Sequence, residues 1–120
     1  MAKAIKLKRV YEAPAASDGT RILVDRLWPR GIAKHKAKID LWLKDIAPSD
    51  ALRKRFHGHP EDWDAFRAAY AAELKQAGDA VQELRGHLRK GTVTLLYAAR
   101  DEKHNNAVAL KQWLARRRKT

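Results

Sequence analysis

The 120-residue chain contains no cysteine. Disulfides, thiolate nucleophiles and thiolate metal ligands are therefore excluded. Long apolar runs are missing as well. No window approaches the ~18 uncharged apolar residues of a membrane span, so no contact with a membrane is expected. The opening residues, MAKAIKLKRV, scatter positive charge and lack the apolar core of roughly 7–15 residues that an export signal needs. The expected location is cytoplasmic. Proline and glycine are sparse, with 4 and 6 copies, and there is no low-complexity tract, long linker or internal repeat. A single domain over residues 1–120 is expected, large enough to bury a core without staples.

Acidic residues are also in short supply. Against 26 Lys and Arg stand 14 Asp and Glu, a net charge of +12. That balance favours anionic partners and makes nucleic acid a candidate. The basic residues are spread through every segment, however, and the one dense run is Arg116–Lys119 at the C-terminus.

What is present reads as alternating strand and helix. Residues Ala4–Val10 alternate Ile5 and Leu7 against Lys6 and Lys8, the pattern of an edge strand with one solvated face. A proline-containing loop follows, and Arg21–Leu27 forms a second strand ended by Pro29 and Gly31. The connection is too short for a crossover helix, so the two strands are expected to be antiparallel if they are neighbours. Ile39–Ile46 carries Ile39, Trp42, Leu43 and Ile46 on nearly one helical face and stops at Pro48. Ser49 caps a short helix through Phe56.

Pro60-Glu61-Asp62 opens the longest helix, with the stripe Trp63, Phe66, Tyr70 and Leu74 read as core and Gly78 as its stop. Asp79 and Gln82 have capping-box spacing for a helix ending at Gly91. The run TVTLLYA, Thr92–Ala98, is the clearest strand signal, fully buried and central. Asn105 or Asn106 caps a last helix bearing Ala107, Leu110, Trp113 and Leu114. The fold class is α/β: a small central mixed sheet of three or four strands flanked by helices, about half of the chain helical.

Two strand ends resemble each other. ILVDRLWPRG and TLLYAARDEKHNN both run from an apolar strand into Arg, Asp and hydrogen-bonding side chains. In open α/β sheets, ligands bind outside the carboxyl ends of strands, where helix N-termini also point. Parallel, adjacent strands would bring both clusters into one crevice.

These segments, with LWLKDIAPS and LRKRFHGHPEDWDAFRAAYAAEL between them, resemble the YeaO-like branch of the family called domain of unknown function 488. The likeness spans roughly Val10–Trp113. It implies an α/β fold with the two strand-end motifs close together in a bacterial or archaeal cytosolic protein. It implies no reaction. Other branches of that family carry cysteines in and just after the last strand, followed by His-Arg. Here Tyr97 and Asn105 stand in those places, with Asn106 and Ala107 following, so thiol or metal chemistry does not carry over.

The ligand-binding candidates are Arg26, Trp28, Arg30, Arg100, Asn105 and Asn106. Arg26 and Arg30 either clamp a phosphate or carboxylate, or pair with Asp25 and Asp101 as a structural network. Trp28 stacks on a ligand or, more simply, packs. The candidates for proton transfer are Asp25, Tyr97, Asp101 and His104. Asp25 acts as a base only if desolvated and otherwise stays ionised and orients, and His104 sits three residues from Asp101 at a helix start. No metal site is expected, because His57 and His59 in FHGHPED have no third histidine at ligand spacing. With no glycine-rich loop after a strand, no cofactor is expected either.

Two function classes follow. The first is a site for an anionic small molecule at the C-terminal ends of two strands, with acid/base groups beside it. The second is a nucleic-acid-binding module working through phosphate contacts of the dispersed basic residues.

Overall fold

The computed structural model describes residues 4–117, apart from the side chains of 34, 35 and 117. Four strands form one sheet in the order β1-β4-β2-β3: β1 is Ile5–Arg9, β2 Thr20–Leu23, β3 Leu41–Trp42 and β4 Val93–Tyr97. Every pairing is parallel. The sheet is therefore wholly parallel rather than mixed. The first two strands are not neighbours, because β4 lies between them and pairs Leu95 with Leu7 on one side and with Ile22 on the other. The return from β1 to the start of β2 needs no helix. Its ten residues, 10–19, reach at most about 33 Å when extended, ample to run back along a five-residue strand and pass one neighbour.

Five α-helices complete the fold among the described residues: α1 Lys34–Ala37, α2 Asp50–Phe56, α3 Trp63–Gln76, α4 Gly78–Lys90 and α5 Asn106–Arg117. With three short 3₁₀ turns they make up about half the chain. As TVTLLYA implies, β4 is central and buried at every residue. Its side chains alternate between two cores. Val93, Leu95 and Tyr97 join Ile22 and Val24 under α2–α5, whereas Leu96 joins Leu23 and Val10 under Trp28, Ile32, Ile39 and Trp42.

That division explains why Ile39–Ile46 is not the helix its spacing suggests. Leu43 and Ile46 enter the first core while Ile39 and Trp42 cover the second. A helix would place all four on one side. Instead the segment pairs with β2: Asp40 N–H donates to the Arg21 carbonyl at 2.9 Å and Leu43 N–H to the Leu23 carbonyl at 2.9 Å. Tertiary pairing outweighs the helical period.

Helix ends follow local chemistry. Ser49 Oγ accepts from Leu52 N–H and caps α2. Asn105 Oδ1 accepts from Val108 N–H and caps α5. Gly78 does not close α3 but begins α4, and the Asp79–Gln82 box is not formed, because Ala77 is at once the last cap of α3 and the first of α4. Gly19, at φ 66°, lies so close to the Thr92 carbonyl that a Cβ has no room. Glycine there lets β2 start flush against β4.

Candidate functional site

β2 stops at Leu23, four residues short of the expected end at Leu27. The reason is Asp25. Val24 N–H still donates to the Leu96 carbonyl at 3.1 Å. The next bond along the ladder is made by a side chain: Asp25 Oδ2 accepts from Ala98 N–H at 2.9 Å. Oδ1 accepts from Asn106 Nδ2 at 3.0 Å, and the same amide donates to the Val24 carbonyl at 2.9 Å. Asn106 thus ties the start of α5 to the end of β2. Burial pushes the Asp25 carboxyl above its ordinary value, and the Asn106 and Ala98 bonds and the charge of Arg53 do not offset it.

Neither arginine of DRLWPRG pairs with Asp25 or Asp101. Arg26 turns inward and donates through Nε to the Pro48 carbonyl at 3.0 Å and through Nη2 to the Ala47 carbonyl at 3.1 Å. It latches the segment before α2 to the strand end. The Arg30 side chain is exposed and makes no ion pair among the described residues, while its carbonyl accepts from the Tyr11 hydroxyl at 3.0 Å. Trp28 packs edge-on to Trp42 with centroids 5.4 Å apart and donates its indole N–H to the Ile32 carbonyl at 2.7 Å.

At the second strand end, Asp101 organises the loop. Its Oδ1 accepts from Lys103 N–H and His104 N–H, both at 2.9 Å, and its Oδ2 lies 3.0 Å from His104 Nδ1. The bonds from Lys103, His104 and the imidazole hold its carboxyl below the ordinary value. An ionised Asp101 accepts from Nδ1–H of the ring, which in the neutral imidazole leaves Nε2 as an acceptor. Asn105 Nδ2 returns to the Asp101 carbonyl at 2.9 Å.

The two ends meet. Asp25, Arg26, Trp28, Arg30, Arg100, Asp101, His104, Asn105 and Asn106 all line one crevice of about 630 Å³. Tyr97 does not. It points from β4 into the core beneath the crevice, where burial raises its phenol.

Sequence reasoning missed the opposite wall. Phe56, Trp63 and Phe66 line the crevice with Arg53, His57 and His59. The stripe read as core divides along α3: Tyr70 is 1% exposed and donates to the Ile46 carbonyl at 2.6 Å, whereas Trp63 and Phe66 are only partly buried. The available signal was FHGHP, a turn hinged at Gly58 (φ 76°) that folds the end of α2 and the start of α3 toward the strand ends. His59, Glu61 and Asp62 each bring a ligand atom within 4.8 Å of the others, all exposed. Such exposed acidic groups are common without a metal, and no further donor completes the set among the described residues.

This architecture defines a class: a parallel α/β domain with a preformed crevice at the carboxyl ends of adjacent central strands. The chain belongs to the DUF488 family. Residues 4–120 match the family model described as the inactive DUF488-N3 subclade. It is 48% identical over 110 residues to the uncharacterized protein YeaO of Escherichia coli K12, covering 92% of this chain and 96% of that one. It is 40% identical over 110 residues to the uncharacterized protein Rv3073c of Mycobacterium tuberculosis, covering 92% of each. No solved structure matches. Among the described residues, no helix is long and apolar enough to cross a membrane.

Proposed function

We propose that the domain binds an anionic small molecule, bearing phosphate or carboxylate, in the crevice at the ends of β2 and β4. The observation that carries this reading is the state of the cations. Arg30 and Arg100 come from the two strand-end loops, line the same crevice, and have no carboxylate partner among the described residues. A guanidinium in a concave site without an internal acceptor suits a bidentate anion. The first turn of α5 begins beside them and adds its dipole.

The reading is of binding rather than turnover. The subclade is described as inactive, and the polar groups suit orientation: Asp25 and His104 Nε2 offer acceptors to a ligand hydroxyl or N–H, and Asp101 fixes the imidazole. The experiment is a thermal-shift screen of phosphorylated and carboxylated metabolites followed by calorimetry. The expected hit loses at least tenfold in affinity when Arg30→Ala and Arg100→Ala are combined. A panel without any stabilising anion, or a hit indifferent to both arginines, overturns the reading.

Nucleic acid is the competing partner class, resting on the +12 charge. Its one dense cluster, Arg116–Lys119, falls largely outside the described residues, and the remaining basic groups are dispersed.

A further inference from the structure

The crevice is too large and too apolar for an anion alone. A volume of about 630 Å³ lies in the range that holds drug-sized ligands, roughly 300–1,000 Å³. Phosphate fills a small part of it. We infer, resting on the anion-binding reading above, that the ligand is a flat nitrogen heterocycle carrying an acidic arm, with an N–H of the heterocycle, on the ring or on an exocyclic amine, directed at Asp25.

Three parts of the wall carry this. Arg30 and Arg100 supply the site for the acidic arm. The facing wall is a locked set of rings: Trp63 and Phe66 lie 5.6 Å apart at 20°, Phe56 meets Phe66 edge-on at 5.7 Å, and the His104 imidazole meets Trp63 edge-on at 5.2 Å. Rings held by one another present a rigid apolar surface that costs free energy while wet, on the order of 25 cal/mol per Å². A planar body covers such a surface with little ordering cost. Asp25 lines the same crevice. Each of its oxygens accepts one protein hydrogen bond, from Ala98 or Asn106, and retains a second lone pair. A desolvated carboxylate with acceptor capacity left over is the natural partner of a heterocyclic N–H.

The test uses five probes in calorimetry: AMP, ribose 5-phosphate, inorganic phosphate, indole-3-acetate and its N-methyl derivative. AMP is expected to bind at least tenfold tighter than ribose 5-phosphate or phosphate if the arm is a phosphate. Indole-3-acetate is expected to bind at least tenfold tighter than its N-methyl derivative if the arm is a carboxylate. Phe66→Leu and Asp25→Asn are expected to erase the respective preferences. Should either variant fail to fold, intermolecular NOEs between the probe ring and the protons of Phe56 or Trp63 in the wild-type protein decide the contact. Ribose 5-phosphate binding as tightly as AMP overturns the ring assignment, the N-methyl probe binding as tightly as its parent overturns the N–H contact with Asp25, and either result leaves the anion reading standing. No binding by any of the five overturns both.

Discussion

The two ends of the sheet use the same residue types for opposite ends. At the amino end, Asp18 and Arg21 are 2% and 4% exposed, and each of their side-chain polar atoms is hydrogen-bonded within the protein. Asp18 accepts from Arg21 Nη1, from Lys8 Nζ at 2.8 Å and from Ala15 N–H at 3.0 Å, while its carbonyl takes the Thr94 hydroxyl at 2.7 Å. Arg21 also donates through Nη2 to the Ala37 carbonyl at 2.9 Å and through Nε to the Lys38 carbonyl at 3.1 Å. At the carboxyl end, each Asp25 oxygen accepts a single bond, and the Arg30 and Arg100 guanidiniums donate to no partner among the described residues. An Asp and an Arg near a strand end therefore say little by themselves. What separates a clamp from a site is how many partners the protein itself supplies.

The largest effect is expected at Asp18. Burial alone raises its carboxyl, but Lys8, the Ala15 amide and Arg21 more than reverse this and bring it from 3.8 to about 2. A depressed folded-state value stabilises the fold above the unfolded value and loses that contribution as pH falls from about 4 toward 2. Asp18→Ala is expected to cost about 3–5 kcal/mol in urea unfolding, because it leaves the Arg21 guanidinium buried and unpaired. It should also remove this acid-sensitive portion of stability. A loss below about 1 kcal/mol would make the amino end as dispensable as a surface pair.

Core truncation comes next. Leu96→Ala, between the strand ends on the smaller core, is expected to lose about 2–5 kcal/mol, and Val24→Ala to destabilise in the same direction, both without altering crevice chemistry directly. Arg30→Ala sharpens the contrast from the other side. Its stability should stay within about 0.5 kcal/mol of wild type while anion affinity drops at least tenfold. Destabilisation on the scale of Leu96→Ala would turn DRLWPRG into a purely structural strand end.

Asp25 has the opposite sign from Asp18. Its folded-state value is raised, so its contribution to stability declines as pH rises above 3.8 through the raised value and is flat beyond it. Subtracting the Asp25→Asn profile from the wild-type profile should isolate that decline; parallel profiles would contradict the desolvated carboxyl. The smallest expected effect concerns charge. If the +12 only steers and solubilises, binding to mixed duplex DNA or single-stranded RNA should vanish near physiological salt. Submicromolar binding that persists there, and collapses on removal of Arg116–Lys119, selects the nucleic-acid reading.

Much of the carboxyl end was legible because apolar runs leading into clusters of Arg, Asp and Asn mark strand-to-loop exits. TVTLLYA announces a central strand, and parallel neighbours then force DRLWPRG and RDEKHNN together. The amino end was illegible. Asp18 looks like a loop residue and Arg21 like the first residue of a strand, and only the close seat of Gly19 on Thr92 drives both inside. Arg26 and Arg30, four apart in one motif, have opposite fates because the segment before α2 offers carbonyls to the first and nothing to the second. Trp63, Phe66 and Tyr70 share a helical stripe whose ends lie in different environments, a gradient along the axis that periodicity does not encode.

The bond from the Ala98 amide to Asp25 gives the molecule a built-in spectroscopic gauge. Most amides in a sheet report only on the sheet, because their acceptors are carbonyls that do not titrate. The Ala98 proton instead senses the ionisation and engagement of a carboxyl that faces the crevice. Its nitrogen and proton shifts in an ordinary two-dimensional spectrum will follow crevice occupancy, without a label, a fluorophore or any change to the sequence.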